Sequence, residues 1–204
     1  WLSLVERLLG VQEVASSTLA APTNFLSIPI MTNDAPTWDP RDPTESLLRQ
    51  ADWLNQLAQE TFARDGTHVE ILFFFREDGQ GAIGQPPPGM ARVDFMPLLK
   101  ASIRENDIFG VIHIAESWTY LPRQPNDHTF RQIADGEIAV SQLDPNDQSE
   151  ALMVKVDARS GLTRTWLYPI LRTPTLTSLG EPMEINHPAP GRLANLFSDP
   201  DTAT

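Results

Sequence analysis

The chain has 204 residues, enough for one hydrophobic core with extensions. A hydrophobic share of 41% and a charged share of 21% are those of a globular protein, although 18 prolines outnumber 11 glycines. The formal net charge of -12, from 27 acidic against 15 basic residues, repels phosphate backbones and anionic headgroups, and the lack of cysteine excludes disulfides, thiolate nucleophiles and Cys-based metal sites.

Imitation of DNA is one role open to an acidic surface, but most acidic domains are acidic for solubility. The longest apolar run, Ile71 to Phe75, has a strand's length and falls far short of the ~20 residues a membrane helix needs. The expectation is a soluble protein, cytoplasmic or part of a particle, with no membrane span and no nucleic-acid partner. The chain starts at Trp1 rather than Met, as a processed chain or a fragment does.

Leu2, Val5, Leu8 and Leu9 recur at helical spacing, too briefly for a helix that stands without a docking surface. From residue 21 to 43 the prolines at 22, 29, 36, 40 and 43 forbid long helices and favour an extended arm. The first strong element starts at Asp42, a capping residue followed by Pro43 at the first helical position and Glu45 three residues on. A helix to about Arg64 follows, with Leu47, Ala51, Leu54, Ala58 and Phe62 on one face, Leu48 and Leu57 beside them, and Gly66 as its left-handed stop.

Val69 to Phe75 reads as a strand with cover on both faces. Asp94 opens a second helix to about Asn106, with Pro97 in its first turn and Phe95, Leu98, Leu99, Ser102 and Ile103 facing in. Gly110 to Tyr120 is a second strand, and the strand, helix, strand order predicts a right-handed crossover between parallel neighbours. Residues 121–149 form a Pro, Asn, Asp and Gln-rich insertion with a short strand at 137–140. Ala151 to Asp157 and Thr163 to Leu171 alternate as a hairpin about Arg159, Ser160 and Gly161, and 173–204 is a second Pro-rich arm with a short helical stretch at 192–197.

Gly79 to Gly84 matches G-x-G-x-x-G, but the Pro86-Pro87-Pro88-Gly89 run stops the helix that a phosphate-binding loop must open into, and Asp78-Gly79 reads better as a turn. The stretch from Val111 to Trp118 holds the densest set of reactive residue types. Strand alternation puts His113, Ala115 and Ser117 on one face and Ile114, Glu116 and Trp118 on the other, so Glu116, His113 and Ser117 do not make a triad by themselves. Glu116 is a ligand-pocket candidate at a strand end, with Arg123, Lys155 or Arg172 as partner, although an acidic residue there more often makes a salt bridge or binds backbone amides. His113, between two isoleucines, reads as a half-buried, hydrogen-bonded core residue.

His68, His128 and His187 show no metal-ligand spacing, and Asp144 to Glu150 lacks the central Gly of a calcium loop, so no metal and no cofactor is expected. Trp38 in the first arm needs a pocket on its own domain or on another subunit, and Trp1 with Leu2, Val5 and Leu8 forms a second docking stripe.

The segments His113 to Trp118, Glu150 to Val154 and Pro169 to Arg172 resemble a recurrent pattern in small uncharacterised bacterial and phage α/β proteins. It combines an alanine-acid-x-tryptophan strand, a strand opening with glutamate and a closing Pro-Ile-x-Arg. The resemblance covers about residues 50 to 172 and implies a compact α/β domain in a phage or mobile-element setting, without a reaction or a catalytic residue.

The fold expected is α/β: a mixed sheet of about four strands in a domain spanning 42–172, both helices packed on one face, and arms 1–41 and 173–204. The other face, apolar at Phe73 to Phe75, then needs cover from the arms or a neighbouring chain. The leading functional expectation is a non-enzymatic structural or accessory component of a protein assembly, homo- or hetero-oligomeric, docked through its arms. The alternative is a hydrolase or small-ligand enzyme with a pocket at Glu116, bordered by Trp118, Arg123 and Arg172.

Overall fold

The computed structural model describes residues 26–27, 35–87, 92–120, 127–134, 137–186 and 196–197. Within them the elements are β1 (Leu26–Ser27), α1 (Pro43–Asp65), β2 (Ile71–Phe75), β3 (Gly81–Gly84), α2 (Arg92–Glu105), β4 (Gly110–Thr119), α3 (His128–Ala134), β5 (Ser149–Ala158), β6 (Thr163–Arg172), β7 (Thr177–Leu179) and β8 (Met183–Ile185). The strands form one open sheet in the order β1-β3-β2-β4-β5-β6-β7, and β8 pairs with the first half of β6. Among the described residues no helix is long and apolar enough to cross a membrane.

Helix α1 starts and stops where its local chemistry dictates. The Asp42 carboxylate accepts the Glu45 N–H, Pro43 occupies the first helical position, and Gly66 closes the helix at φ 69°, its N–H donating to Phe62 O. Leu47, Ala51, Leu54, Ala58 and Phe62 are all buried against the first face of the sheet, with Phe73, Ile112, Ile114, Leu152, Val154 and Trp166. Each large side chain so buried contributes about 1.5–3 kcal/mol relative to exposure. Tyr168 joins this layer with its hydroxyl accepting from Asn55 Nδ2 at 2.8 Å and Gln59 Nε2 at 2.9 Å.

The sheet differs from the expected one in strand number and direction. Among the described residues it has eight strands rather than about four, and every pairing is antiparallel, including β2 with β4. The strand-helix-strand unit is therefore no parallel crossover. Strand β3, four residues with glycine at both ends, forms a hairpin with β2 and turns the chain round before α2 begins, so α2 returns it to the end from which β4 must run antiparallel. The glycines of the G-x-G-x-x-G match lie in this hairpin, in its turn and its second strand. Gly79 sits at φ 86° and donates to Arg76 O, so they cradle no helix N-terminus.

The two long helices lie on opposite faces, not on one. Phe95, Leu99 and Ile103 of α2 pack with Leu72, Phe74 and Val111, which point away from α1, and Leu98 is 38% exposed. The second face is thus covered by the chain's own second helix, with Leu196 from the C-terminal segment added to the cluster. Five successive apolar residues in β2 made burial on both sides unavoidable, but alternation does not say which element supplies the cover.

Both presumed arms contribute to the domain. β1 pairs with β3, and beyond residue 172 the strands β7 and β8 extend the sheet along β6. The strand expected at 137–140 is absent, and Val140–Gln142 and Pro145–Asp147 are single 3-10 turns. Asp144 caps the second by accepting the Asn146 N–H, which is the work of the calcium-like sequence there.

Candidate functional site

The end of the sheet around Glu116 gathers the largest set of singled-out residues. The β2–β4 ladder stops at the pair Ile71 and Ile114, and two residues further along β4 the Glu116 carboxylate takes over as acceptor for the incoming chain. It accepts the Thr67 hydroxyl at 2.7 Å, the His68 backbone N–H, and Arg172 at 3.3 Å. Arg172 in turn makes a two-pronged contact with Glu150, at 2.7 and 2.8 Å, and donates to Gly66 O at the end of α1 at 3.3 Å. The Arg172 guanidinium holds the Glu150 carboxyl below the usual carboxylate range. Four elements are tied together in this way: the end of α1, β4, the start of β5 and the end of β6.

The three segments of the resemblance lie on adjacent strands, and their charged residues Glu116, Glu150 and Arg172 form this network. Trp118 belongs to it by position. It lies on the Glu116 face, opposite Glu150 in register, and is 62% exposed. Arg172 is thus the partner of Glu116 among the three candidates. Lys155 is on the other face and pairs with Asp157 at 2.8 Å, whereas Arg123 lies outside the described residues.

His113 and Ser117 do not join Glu116. They face away from it, four positions apart, about 13 Å along the strand. Ser117 Oγ donates to Trp118 O, and His113, buried, meets Glu70 Oε1 at 2.9 Å through Nε2. His113 stands opposite Lys155 in the β4–β5 ladder, and Lys155 opposite Thr165 in β5–β6. A row of three buried polar side chains therefore crosses the second face between its apolar clusters. Among the described residues no group of three His, Asp or Glu is placed to hold a metal ion.

Trp38 folds onto its own domain. Its ring stacks on Phe75 with centroids 5.5 Å apart and planes within 5°, and its indole N–H donates to Glu77 O at 2.9 Å. Pro36 O, just before it, accepts Gln50 Nε2 at 2.6 Å. Trp1, Leu2, Val5 and Leu8 lie outside the described residues.

Sequence reasoning missed Glu150, Thr67 and His68 at the Glu116 end and Glu70 beside His113. The glutamate that opens β5 was legible as a motif, but only the register of β5 against β4 sets it opposite Trp118. His68 is buried, its Nδ1–H donating to Val69 O at 2.7 Å, while Nε2 is buried with no partner among the described residues. Burial pushes its pKa below the ordinary 6.5, opposed by the hydrogen bond to Val69 O and the negative charges of Glu116 and Asp65.

A histidine whose pKa is depressed on folding stabilises the fold fully above its unfolded pKa, and that contribution is lost as pH falls through the folded value. Thermal melts between about pH 7.5 and about pH 5 are expected to show stability falling with pH, and His68→Gln to flatten that fall. An unchanged slope in the variant would show that His68 does not titrate across folding.

No protein-family model, curated protein or solved structure matches the chain.

Proposed function

We propose that this chain is a non-catalytic accessory component of a protein assembly, which it contacts through the Trp118 end of its sheet. The observation that carries the reading is the 62% exposure of Trp118 on a ten-residue strand braced by the Glu116, Arg172 and Glu150 network. An aromatic ring held in the open on a rigid strand loses little conformational freedom on binding, which is why tryptophan is enriched among the residues that dominate interfaces. The phage or mobile-element setting is part of the proposal and rests on the three-segment resemblance alone.

A pocket enzyme centred on Glu116 draws no support from the same geometry. Both carboxylate oxygens are committed, Oε1 to the Thr67 hydroxyl and the His68 backbone amide and Oε2 to Arg172. Glu116→Gln is expected to lower stability by about 1–3 kcal/mol, because a carboxamide replaces a charged acceptor of three donors.

Trp118→Ala, by contrast, removes an exposed ring and is expected to leave melting unchanged while releasing the chain from its assembly. The test compares the two proteins by sedimentation velocity, purified and in extract of the native source. The wild-type chain should sediment faster than a single copy in at least one of these, and the variant as a single copy in both. A wild-type chain that runs as a monomer throughout would end the assembly reading.

A further inference from the structure

On the first face of the sheet, beyond the Glu116 network, Trp118 is 62% exposed. Its flanking residues on that face are Glu116, two positions back on the strand, and Glu150, opposite it in register. The other end of the same face shows what such a set can hold. The Arg164 guanidinium lies 4.5 Å from the centroid of the Trp166 ring and is paired with Glu184 at 2.8 Å and Asp52 at 3.8 Å, a cation lodged between an indole face and two carboxylates. Trp118 offers the same ring to the outside, with the Glu150 carboxylate opposite it in register.

We infer that the surface Trp118 presents is a receptor for a basic segment of a partner protein, whose Arg or Lys side chain seats on the indole beside Glu150. The inference rests on the reading of Trp118 as a contact residue and adds the chemistry of its partner. The local charge balance favours it: among the described residues, two carboxylates meet the single guanidinium of Arg172. Acceptor capacity remains, since Glu150 receives two donors and a carboxylate offers about four lone-pair sites. The net charge of -12 draws a basic segment toward the chain at long range, and the ring and carboxylates supply the local fit. An acidic or neutral segment gains neither term.

The experiment titrates the whole chain with a capped Gly-Arg repeat peptide and with the same peptide carrying citrulline, a neutral isostere, in place of arginine. The indole N–H resonance of Trp118 is followed, identified by its loss in Trp118→Phe. The arginine peptide is expected to bind saturably and to shift that resonance, and citrulline to abolish binding. Trp118→Ala should weaken binding about threefold to fivefold, as loss of an exposed cation–π contact does. Glu60→Gln, which removes one charge elsewhere on α1, should leave it unchanged and so separates the site from general attraction. Equal binding of the two peptides, equal binding to wild type and Trp118→Ala, or no saturable binding each overturns the inference. If the assembly is lost in Trp118→Ala yet the arginine peptide fails, the partner chemistry is wrong while the contact reading stands; failure of both removes both.

Discussion

Gly79→Ala is expected to destabilise the chain by about 2–4 kcal/mol, from a left-handed backbone that alanine resists and from overpacking against Trp38. Gly79 holds φ 86° in the β2–β3 turn, and a Cβ built on it would lie 2.5 Å from Trp38 Cγ and 2.7 Å from Cδ1. The ring cannot retreat without leaving its stack on Phe75 and its hydrogen bond to Glu77 O. The turn and the N-terminal segment should therefore fail together. Denaturant titration measures the loss, and limited proteolysis between residues 36 and 42 should become faster in the variant. Trp38→Ala removes the obstacle, so the double variant Trp38→Ala with Gly79→Ala should lose less than the sum of the two singles. Strict additivity would show that the ring and the turn are independent.

Lys155→Met is expected to have the largest effect of a single charge change, about 3–5 kcal/mol, because it breaks a buried pair and leaves a carboxylate behind. The Lys155 side chain is 7% exposed and that of Asp157 16%, with Nζ 2.8 Å from Oδ2. Without the ammonium, Asp157 keeps the Thr163 hydroxyl at 2.8 Å, a neutral donor that does not balance its charge. The double replacement of Lys155 by Met and Asp157 by Val removes both charges from a strand that tolerates both residues, and should recover most of the loss. Equilibrium unfolding of the two variants decides the matter. A double variant as unstable as the single would show that the pair is not where the energy lies.

These expectations also show where reasoning from residues succeeds. Helix α1 was legible to within a residue because each boundary is a local event: a carboxylate on a free N–H, a proline where no N–H is needed, a glycine where φ turns positive. The Asp78-Gly79 turn and the β5–β6 hairpin were legible for the same reason, as was the separation of His113 from Glu116 by strand alternation. Strand β3 was not. Four residues with glycine at both ends carry no alternation and little intrinsic preference, and they are a strand only because β2 and β1 pair with them.

That short strand changes the reading of everything after it. It reverses the path of the chain before α2, which turns an expected parallel crossover into an antiparallel pair, while the packing of α2 on Leu72, Phe74 and Val111 puts that helix on the opposite face. The site shows the same division. Glu116 and Arg172 could be proposed as partners from charge alone, but Glu150, Thr67 and the His68 amide become their neighbours only through the register of three strands and the stop of one helix.

The sequence by itself determined that α1 exists with its caps, that β2 must be buried on both sides, and that Glu116 and Trp118 share a face. The tertiary structure alone decided what covers the second face, which direction the strands run, and that Trp118 is left in the open beside two carboxylates. The division is physical: caps, turns and alternation depend on residues within a few positions of one another, whereas cover, direction and exposure are settled by pairings between residues far apart in the chain.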